Sequence, residues 1–406
     1  MLYNKLKNNI FSLFAVESLQ PSSLDELQSK TITWLRFPLV LLVLLIHINP
    51  STKDIFTPIQ TIDISHLTIA NIYSIIGRLG YYFSQVAVPF FFFTSGYFFF
   101  YKVNKLDAPC YKKKITKRIK TLVVPYLLWN LMTLFFMILS KGMGVCLLHK
   151  SQAGLMEYIS QLDWNVLWNS STWNEDSVNL FGWSTQMSGP VLLPLWFLRD
   201  LIVISFILTP LIYLGIKYLR GYWVLLLGIA YLLKACTLPG IGITGVFFFS
   251  FGAYLSLNQK NIVTYFRKNR YFYWIISIVC LVVCVAFDSS QTARLSQSIY
   301  SITAVGSVIS IVAGLLYNRH LKVRPQLSQT SFFVYALHTM ILLHFSCLGL
   351  AVALTEKMFF AEHYIVGYIL SYFVSPFLGA GLCLVAFIVL KTYMPRLLIL
   401  LTGGRN

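Results

Sequence analysis

The chain has 406 residues, of which 57% are hydrophobic and 11% are charged, and its formal net charge is +18. Soluble globular proteins carry about 25% charged residues, so this chain has too few charges to cover a water-exposed surface of its size. The composition argues against a soluble enzyme, a nucleic-acid-binding protein and a secreted disulfide scaffold. Its apolar residues instead come in runs near the length that crosses a bilayer, which predicts an all-α polytopic membrane protein.

Ten apolar runs predict ten transmembrane helices. They cover residues 33–49, 81–101, 121–140, 192–214, 222–238, 242–257, 271–288, 299–317, 331–354 and 364–390. With the N-terminus inside, the inner loops and tails hold 24 of the 32 Lys and Arg residues, and the outer loops hold six. Cytoplasmic loops of membrane proteins carry an excess of Lys and Arg. Both termini are therefore predicted to be cytoplasmic, and the net charge needs no nucleic-acid partner.

This topology divides the chain into three regions. Residues 1–30 form a cytoplasmic N-terminal segment, whose apolar residues recur at helical spacing and suit the surface of the inner leaflet. Residues 31–395 form the transmembrane domain, with a large outer loop over about 141–191, and residues 396–406 form a cytoplasmic tail. Ser23 and Glu26 have the spacing of a capping box, which predicts that a helix begins there.

The seven cysteines and seven histidines predict neither a disulfide framework nor a metal site. Five cysteines lie in apolar spans, and Cys146 is the one plainly outside, where it lacks a partner in the chain. No spacing of Cys and His is typical of zinc ligands. We therefore expect no metal.

Ionisable residues inside a membrane are costly and mark candidate sites. In the first span, Arg36 and His47 lie eleven positions apart. On a helix this spacing puts both side chains on one face, about 20° apart in direction and roughly 16 Å apart along the axis. A cation at the cytoplasmic edge thus lines up with an imidazole deep in the membrane. The alternative is an interfacial anchor together with a histidine that bonds a helix neighbour.

Five segments, taken in order, resemble the membrane-bound acyltransferase 3 family. They are Arg36 and His47 with ten residues between them, 88–97 (VPFFFFTSGY), 117–129 (KRIKTLVVPYLLW), 195–200 (LWFLRD) and 335–338 (YALH). The resemblance runs from about residue 30 to 390. Many members have Arg-x-x-Arg before the Pro-Tyr pair, whereas Arg118 is here followed by Thr121. Either Lys117 or Lys120 supplies the second cation, or it is missing.

The resemblance implies transfer of an acyl group, usually acetyl from acetyl-CoA, to a carbohydrate hydroxyl on the far side of the membrane. The residues expected to bind the phosphates of acetyl-CoA are Arg36, Lys117, Arg118 and Lys120. Arginine suits bidentate phosphate contacts, and the pantetheine arm has a length of the same order as the Arg36–His47 separation. Taken alone, the basic loop 102–120 fits anionic lipid head groups better than CoA.

The candidate catalytic residues are His47, Ser95 and His338. His47 can act as a general base on the acceptor hydroxyl or as a nucleophile on the thioester, and both remain open. Ser95 is either a donor to the oxyanion or a small residue at a helix contact. His338 either orients a substrate or bonds a carbonyl.

An adjacent pair of charged residues and a group of tryptophans each allow a functional and a structural interpretation. Arg199 and Asp200 point about 100° apart on a helix and need not pair with each other, so ion pairs with other spans are weighed against an active-site role. Tryptophans near the outer side can stack on sugar rings or form an interfacial aromatic belt. The candidate glycan-binding residues are Trp164, Trp168 and Trp196.

The sequence therefore predicts a multi-pass O-acetyltransferase of the bacterial inner membrane that modifies a surface polysaccharide or a lipid-linked glycan. A polytopic glycan flippase or exporter, or a glycan polymerase, would suit the same spans and charge distribution. Transfer of label from acetyl-CoA to glycan is expected of the acyltransferase only.

Overall fold

The structure is a computed structural model. It describes residues 2–17, 21, 23–48, 69–148, 156–157, 159–160, 162–178, 184–235, 237–288, 290–340, 346–359 and 364–405. Most of these residues are helical. The first helices are α1 (Leu2–Leu13), α2 (Leu24–Ile46), α3 (Ile69–Ser84), α4 (Ala87–Phe100), α5 (Ala108–Arg118), α6 (Val124–Leu148), α7 (Trp196–Val203), α8 (Thr209–Leu219) and α9 (Gly221–Leu232). They are followed by α10 (Ile243–Leu257), α11 (Ile262–Lys268), α12 (Arg270–Ala286), α13 (Gln291–Tyr317), α14 (Pro325–Gln329), α15 (Ser331–Leu337), α16 (Cys347–Phe359), α17 (Tyr364–Tyr393) and α18 (Pro395–Thr402).

Antiparallel hairpins, π-helical turns and short 3₁₀ turns connect these helices. The hairpins pair β1 (Ser171–Val178) with β2 (Ser184–Gly189) and β3 (Thr237–Leu238) with β4 (Ile241–Gly242). The π-helical turns are Ile119–Val123 and Ile204–Leu208, and the 3₁₀ turns are Trp164–Leu167 and Leu193–Leu195.

Six helical stretches in the described part of the chain are long and apolar enough to cross a membrane. They are Leu24–Ile46, Ser74–Phe100, Ala108–Met143, Leu193–Leu219, Gln291–Tyr317 and Ile369–Tyr393. Helices α11 and α12 meet at an angle of 74° and count as a seventh span if they are taken together. Helices α9 and α10 are apolar but have only 12 and 15 residues. The all-α, multi-pass architecture is therefore confirmed, whereas the count of ten spans is not.

The predicted capping box begins helix α2. The hydroxyl of Ser23 accepts a hydrogen bond from the Glu26 amide at 3.2 Å, which satisfies one of the amides that a helix N-terminus leaves free. One turn further on, Lys30 forms ion pairs with Glu26 at 2.9 Å and Glu17 at 3.2 Å. Helix α2 thus starts well before the apolar run 33–49, because local hydrogen bonds and ion pairs extend it beyond the apolar residues.

The predicted span 331–354 is interrupted by a break after Leu337. Helix α15 ends at Leu337, and α16 begins only at Cys347. At the break, Nδ1 of His338 lies 2.6 Å from the Tyr335 carbonyl oxygen, and the His338 carbonyl accepts a hydrogen bond from the Leu348 amide at 3.1 Å. Such bonds satisfy backbone groups that a broken helix leaves free. Hydropathy does not detect the break, because the flanking side chains are apolar on both sides.

The tightest helix contact in the core joins α4 to α10 through two glycines. A Cβ atom on Gly96 would lie 2.0 Å from the Phe249 carbonyl oxygen, and one on Gly252 would lie 2.0 Å from the Phe93 carbonyl oxygen. Small residues let the backbones of membrane helices approach this closely. The contact fixes the rotation of α4, and with it the direction of the neighbouring Ser95 side chain.

Candidate active site

Helix α2 carries Arg36 and His47 without interruption between them. It runs from Leu24 to Ile46, and His47 is the residue that follows its last turn. The backbone amide of His47 bonds the Leu44 carbonyl at 3.1 Å. The Arg36 side chain is exposed, and His47 is partly exposed. The two groups therefore lie at opposite ends of a stretch of helix roughly 16 Å long, and both are accessible.

His47 packs against His338, which comes from a distant part of the chain. The centroids of the two imidazole rings are 5.1 Å apart, and the ring planes are tilted by 47°. His338 is fully buried. Because its Nδ1 lies 2.6 Å from the Tyr335 carbonyl oxygen and a carbonyl can only accept, this nitrogen carries the proton.

The tautomer of His338 leaves its other nitrogen free. Nε2 of His338 is buried and has no hydrogen-bond partner among the described residues. In a neutral imidazole with its proton on Nδ1, Nε2 holds a lone pair and accepts hydrogen bonds. Buried polar atoms are normally paired, and an unpaired one calls for an explanation. An accepting nitrogen beside His47 is what a proton-transfer site requires.

Buried polar side chains hold residues 162–178 and 184–195 against the helices around His338. The Leu192 amide donates a hydrogen bond at 3.1 Å, and two tyrosine hydroxyls donate to backbone carbonyls of this segment. These bonds join Leu192 to Asn130, Tyr126 to Leu167 and Tyr335 to Pro194. Tyr335 therefore has two roles: its carbonyl fixes the tautomer of His338, and its hydroxyl holds this segment in place.

Arg199 and Asp200 form a buried ion pair with each other. The distance from Nη2 of Arg199 to Oδ1 of Asp200 is 2.9 Å. Each partner also bonds the backbone of another segment: Arg199 donates to the Trp168 carbonyl at 2.7 Å, and Asp200 accepts from the Gly242 amide at 3.3 Å. The sequence left this pairing open, because adjacent residues on a helix point about 100° apart. It arises because the long arginine side chain can turn toward its neighbour, and the two charges then compensate each other while they tie Trp168 to α7 and β4.

The three candidate tryptophans lie in different surroundings. Trp164 is 86% exposed and Trp168 is 40% exposed. The guanidinium of Arg199 covers the ring of Trp168 at 5.6 Å. Trp196 is the first residue of α7, and its ring centroid lies 6.4 Å from that of Phe92. Of the three, Trp164 presents the most open aromatic face.

Ser95 lies at the Arg36 end of α2 and not beside the imidazoles. Its hydroxyl and its carbonyl both accept hydrogen bonds from Arg118, at 3.0 and 3.2 Å. Two residues further along α4, the Tyr97 hydroxyl donates to Gln28 in the second turn of α2. Its position beside the close glycine contact lets Ser95 hold the guanidinium of Arg118. The oxyanion role stays a prediction, as does the alternative of a small residue at a helix contact.

Another cation, Arg405 in the C-terminal tail, lies close to the helix that carries Arg118. Lys117 and Lys120 are exposed, and neither forms a salt bridge among the described residues. Nη2 of Arg405 donates to the Thr121 carbonyl at 2.6 Å, and its guanidinium lies 4.1 Å from the centre of the Phe332 ring. No sequence motif points to this residue, because 284 positions separate it from Thr121.

A family model described as an acyltransferase domain matches residues 29–390, which is nearly the whole chain. The matched range contains both imidazoles, Arg36 and Arg118, and it ends before Arg405. No curated protein and no solved structure matches the chain.

Proposed function

The chain belongs to the acyltransferase 3 family, and from this premise we propose that it moves acetyl from cytoplasmic acetyl-CoA to a hydroxyl of an extracytoplasmic glycan. The proposed acceptor is a surface polysaccharide or a lipid-linked glycan, and the proposed location is the bacterial inner membrane. One observation carries the proposal: the central stretch of α2 has Arg36 at one end and, at the other, His47, whose ring packs against that of His338.

The arginine end supports binding of a polyanionic donor. Arg36 is exposed, and Arg118 is held by Ser95. Neither guanidinium forms an ion pair with a carboxylate among the described residues. Uncompensated cations beside a membrane domain are costly, and phosphate groups of acetyl-CoA would compensate them through charge-assisted hydrogen bonds. A donor bound there would extend its pantetheine arm along α2 toward His47.

The imidazole end supports the transfer step. In the proposed reaction, the acceptor oxygen attacks the thioester carbonyl carbon while His47 takes the hydroxyl proton as a general base. The carbon–sulfur bond then breaks, and the CoA thiolate leaves and takes that proton from His47. An acyl-histidine intermediate would use the same imidazole. His338 is a positioning residue in this scheme, because its Nε2 can accept a hydrogen bond from His47.

Residues 162–178 and 184–195 are the proposed contact with the acceptor. Polar bonds hold this segment against the helices that carry His338. Trp164 exposes most of its ring, and an aromatic face of this kind can stack on a sugar. Trp168 is partly covered by Arg199, so its proposed role is smaller.

Mass spectrometry of the surface glycan, from native cells with and without the gene, tests the proposal. We expect the acetyl ester to disappear without the gene while the amount of glycan stays constant. A loss of total glycan would instead support a flippase, an exporter or a polymerase. An unchanged acetyl ester would contradict the proposed activity.

Arg36→Ala and Arg118→Ala are each expected to raise the KM for acetyl-CoA by about tenfold or more. The physical reason is the loss of a charge-assisted hydrogen bond, which contributes about 1.5–3 kcal/mol. Steady-state kinetics with purified protein measure the effect, and Lys322→Ala, at an exposed lysine outside the cluster, is the matched control. If both arginine variants keep the wild-type KM, these cations do not bind the donor.

A further inference from the structure

The C-terminal helix α18 packs against helix α6. The indole nitrogen of Trp129 donates to the Leu401 carbonyl at 2.9 Å. Thr402 is fully buried at the end of α18. These contacts hold the last helix against α6, so the residues that follow it start from a defined position.

Two glycines turn the chain end onto the π-helical turn Ile119–Val123. Gly403 and Gly404 have φ values of +63° and +71°, a backbone conformation that glycine adopts without steric cost. A Cβ atom on Gly403 would lie 2.7 Å from the Cα of Thr121 and 2.9 Å from the Lys120 carbonyl oxygen. The tail therefore packs backbone against backbone on this turn, and a larger residue at 403 would push it away.

This packing places the Arg405 guanidinium beside the turn that directly follows Arg118. Arg405 donates to the Thr121 carbonyl at 2.6 Å and stacks over Phe332. One hydrogen bond to Thr121 uses only one of the five N–H donors of a guanidinium. The side chain is half-buried, so the remaining donors include some that a ligand can reach.

The electrostatics of Arg405 indicate a cluster of like charges. Burial, together with the nearby positive charges of Arg118 and Arg36, lowers the pKa of Arg405 to about 9. The group still carries its proton at neutral pH. None of the three arginines is paired with a carboxylate in the described part of the chain. A bound anion would relieve their mutual repulsion.

We propose that Arg405 completes, with Arg36 and Arg118, a three-arginine site that binds the phosphate groups of the acyl donor. The inference rests on the proposed function and adds a residue outside the range that the family model matches. Three guanidinium groups suit a ligand with several phosphates, because each can form bidentate contacts with phosphate oxygens. The same chemistry would bind the phosphate of an anionic lipid, and the experiment separates the two sources.

The test measures CoA binding by calorimetry, with purified protein in nanodiscs of neutral phosphatidylcholine. We expect Arg405→Gln to weaken CoA binding by about tenfold or more and Arg405→Lys to weaken it less. Arg396→Gln removes the same charge from an exposed position on the last helix and is expected to bind CoA as the wild type does. Gly403→Val keeps Arg405 but displaces the tail, and we expect it to weaken binding as well.

Each alternative result has a distinct meaning. If the wild type binds CoA and Arg405→Gln binds it equally well, the role of Arg405 is wrong and the proposed function stands. If the wild type does not bind CoA, the proposed function itself fails. If native mass spectrometry shows that Arg405→Gln loses a retained anionic phospholipid while its CoA affinity is unchanged, the site binds lipid and the inference is overturned. If Arg405→Gln lowers the melting temperature, its weaker CoA binding can come from unfolding. Arg405→Lys, measured at a melting temperature equal to that of the wild type, then decides whether the guanidinium binds CoA: weaker binding supports the site, and wild-type binding overturns it.

Discussion

Replacing His47 by Ala is expected to lower the rate constant of acetyl transfer by about 10²–10⁴-fold, the contribution of a positioned general base. If the imidazole is instead the nucleophile, the loss is larger. The KM for acetyl-CoA should stay near the wild-type value, because Arg36 lies at the other end of the same helix stretch. The fold should also persist, since the backbone bond from His47 to the Leu44 carbonyl does not involve the side chain.

The assay compares acetyl transfer and total surface glycan at matched membrane levels of wild type and variant. His320→Ala, which removes an exposed histidine, is the control and should transfer acetyl normally. Near wild-type acetylation by His47→Ala would make His47 a structural histidine and move the catalytic assignment to His338. If the glycan itself disappears together with its acetyl ester, a transport function gains support.

His338→Ala is expected to lower the turnover number by about 10²-fold or more, because a residue that orients a catalytic imidazole can contribute on this scale. CoA binding should be unchanged, which separates this variant from the arginine variants. The effect would show as a lower kcat with an unchanged KM for acetyl-CoA.

His338→Asn distinguishes positioning from a purely structural role. An asparagine amide can still donate to the Tyr335 carbonyl, so it keeps the bond at the end of α15 but removes the imidazole that faces His47. We expect His338→Asn to match the wild type in thermal stability and His338→Ala in activity. If Asn restores activity, His338 only ends the helix, and the positioning role is wrong.

The features that the sequence predicted correctly depend on local patterns. Apolar runs identify membrane helices because each run is long enough to cross a bilayer. The Ser23–Glu26 spacing predicts a helix start because the hydrogen bond forms within one turn. Arg36 and His47 are related by the geometry of a single helix, so their separation could be calculated from their positions alone.

The features that the sequence did not predict depend on contacts between distant segments or on single side chains. The helix break after Leu337 depends on hydrogen bonds of the imidazole and the carbonyl of His338. A hydropathy value averaged over many residues does not detect such single groups. The hydrogen bonds from Arg118 to Ser95 form beside the α4–α10 contact. Arg405 reaches Thr121 only through the fold of the C-terminal helix. None of these contacts can be inferred from the spacing of residues along the chain, because each depends on how distant segments fold together.

Transfer of label from radioactive acetyl-CoA to glycan, in proteoliposomes that contain the purified protein, tests the central claim most directly. The acceptor is glycan extracted from native cells that lack the gene, and acetyl-CoA is supplied on the side where the arginine cluster is proposed to open. We predict label in an alkali-labile ester on the glycan with wild-type protein, formed about 10²-fold or more slowly with His47→Ala. Label that stays entirely in acetyl-CoA, while the wild-type protein moves glycan across the membrane, would contradict the account.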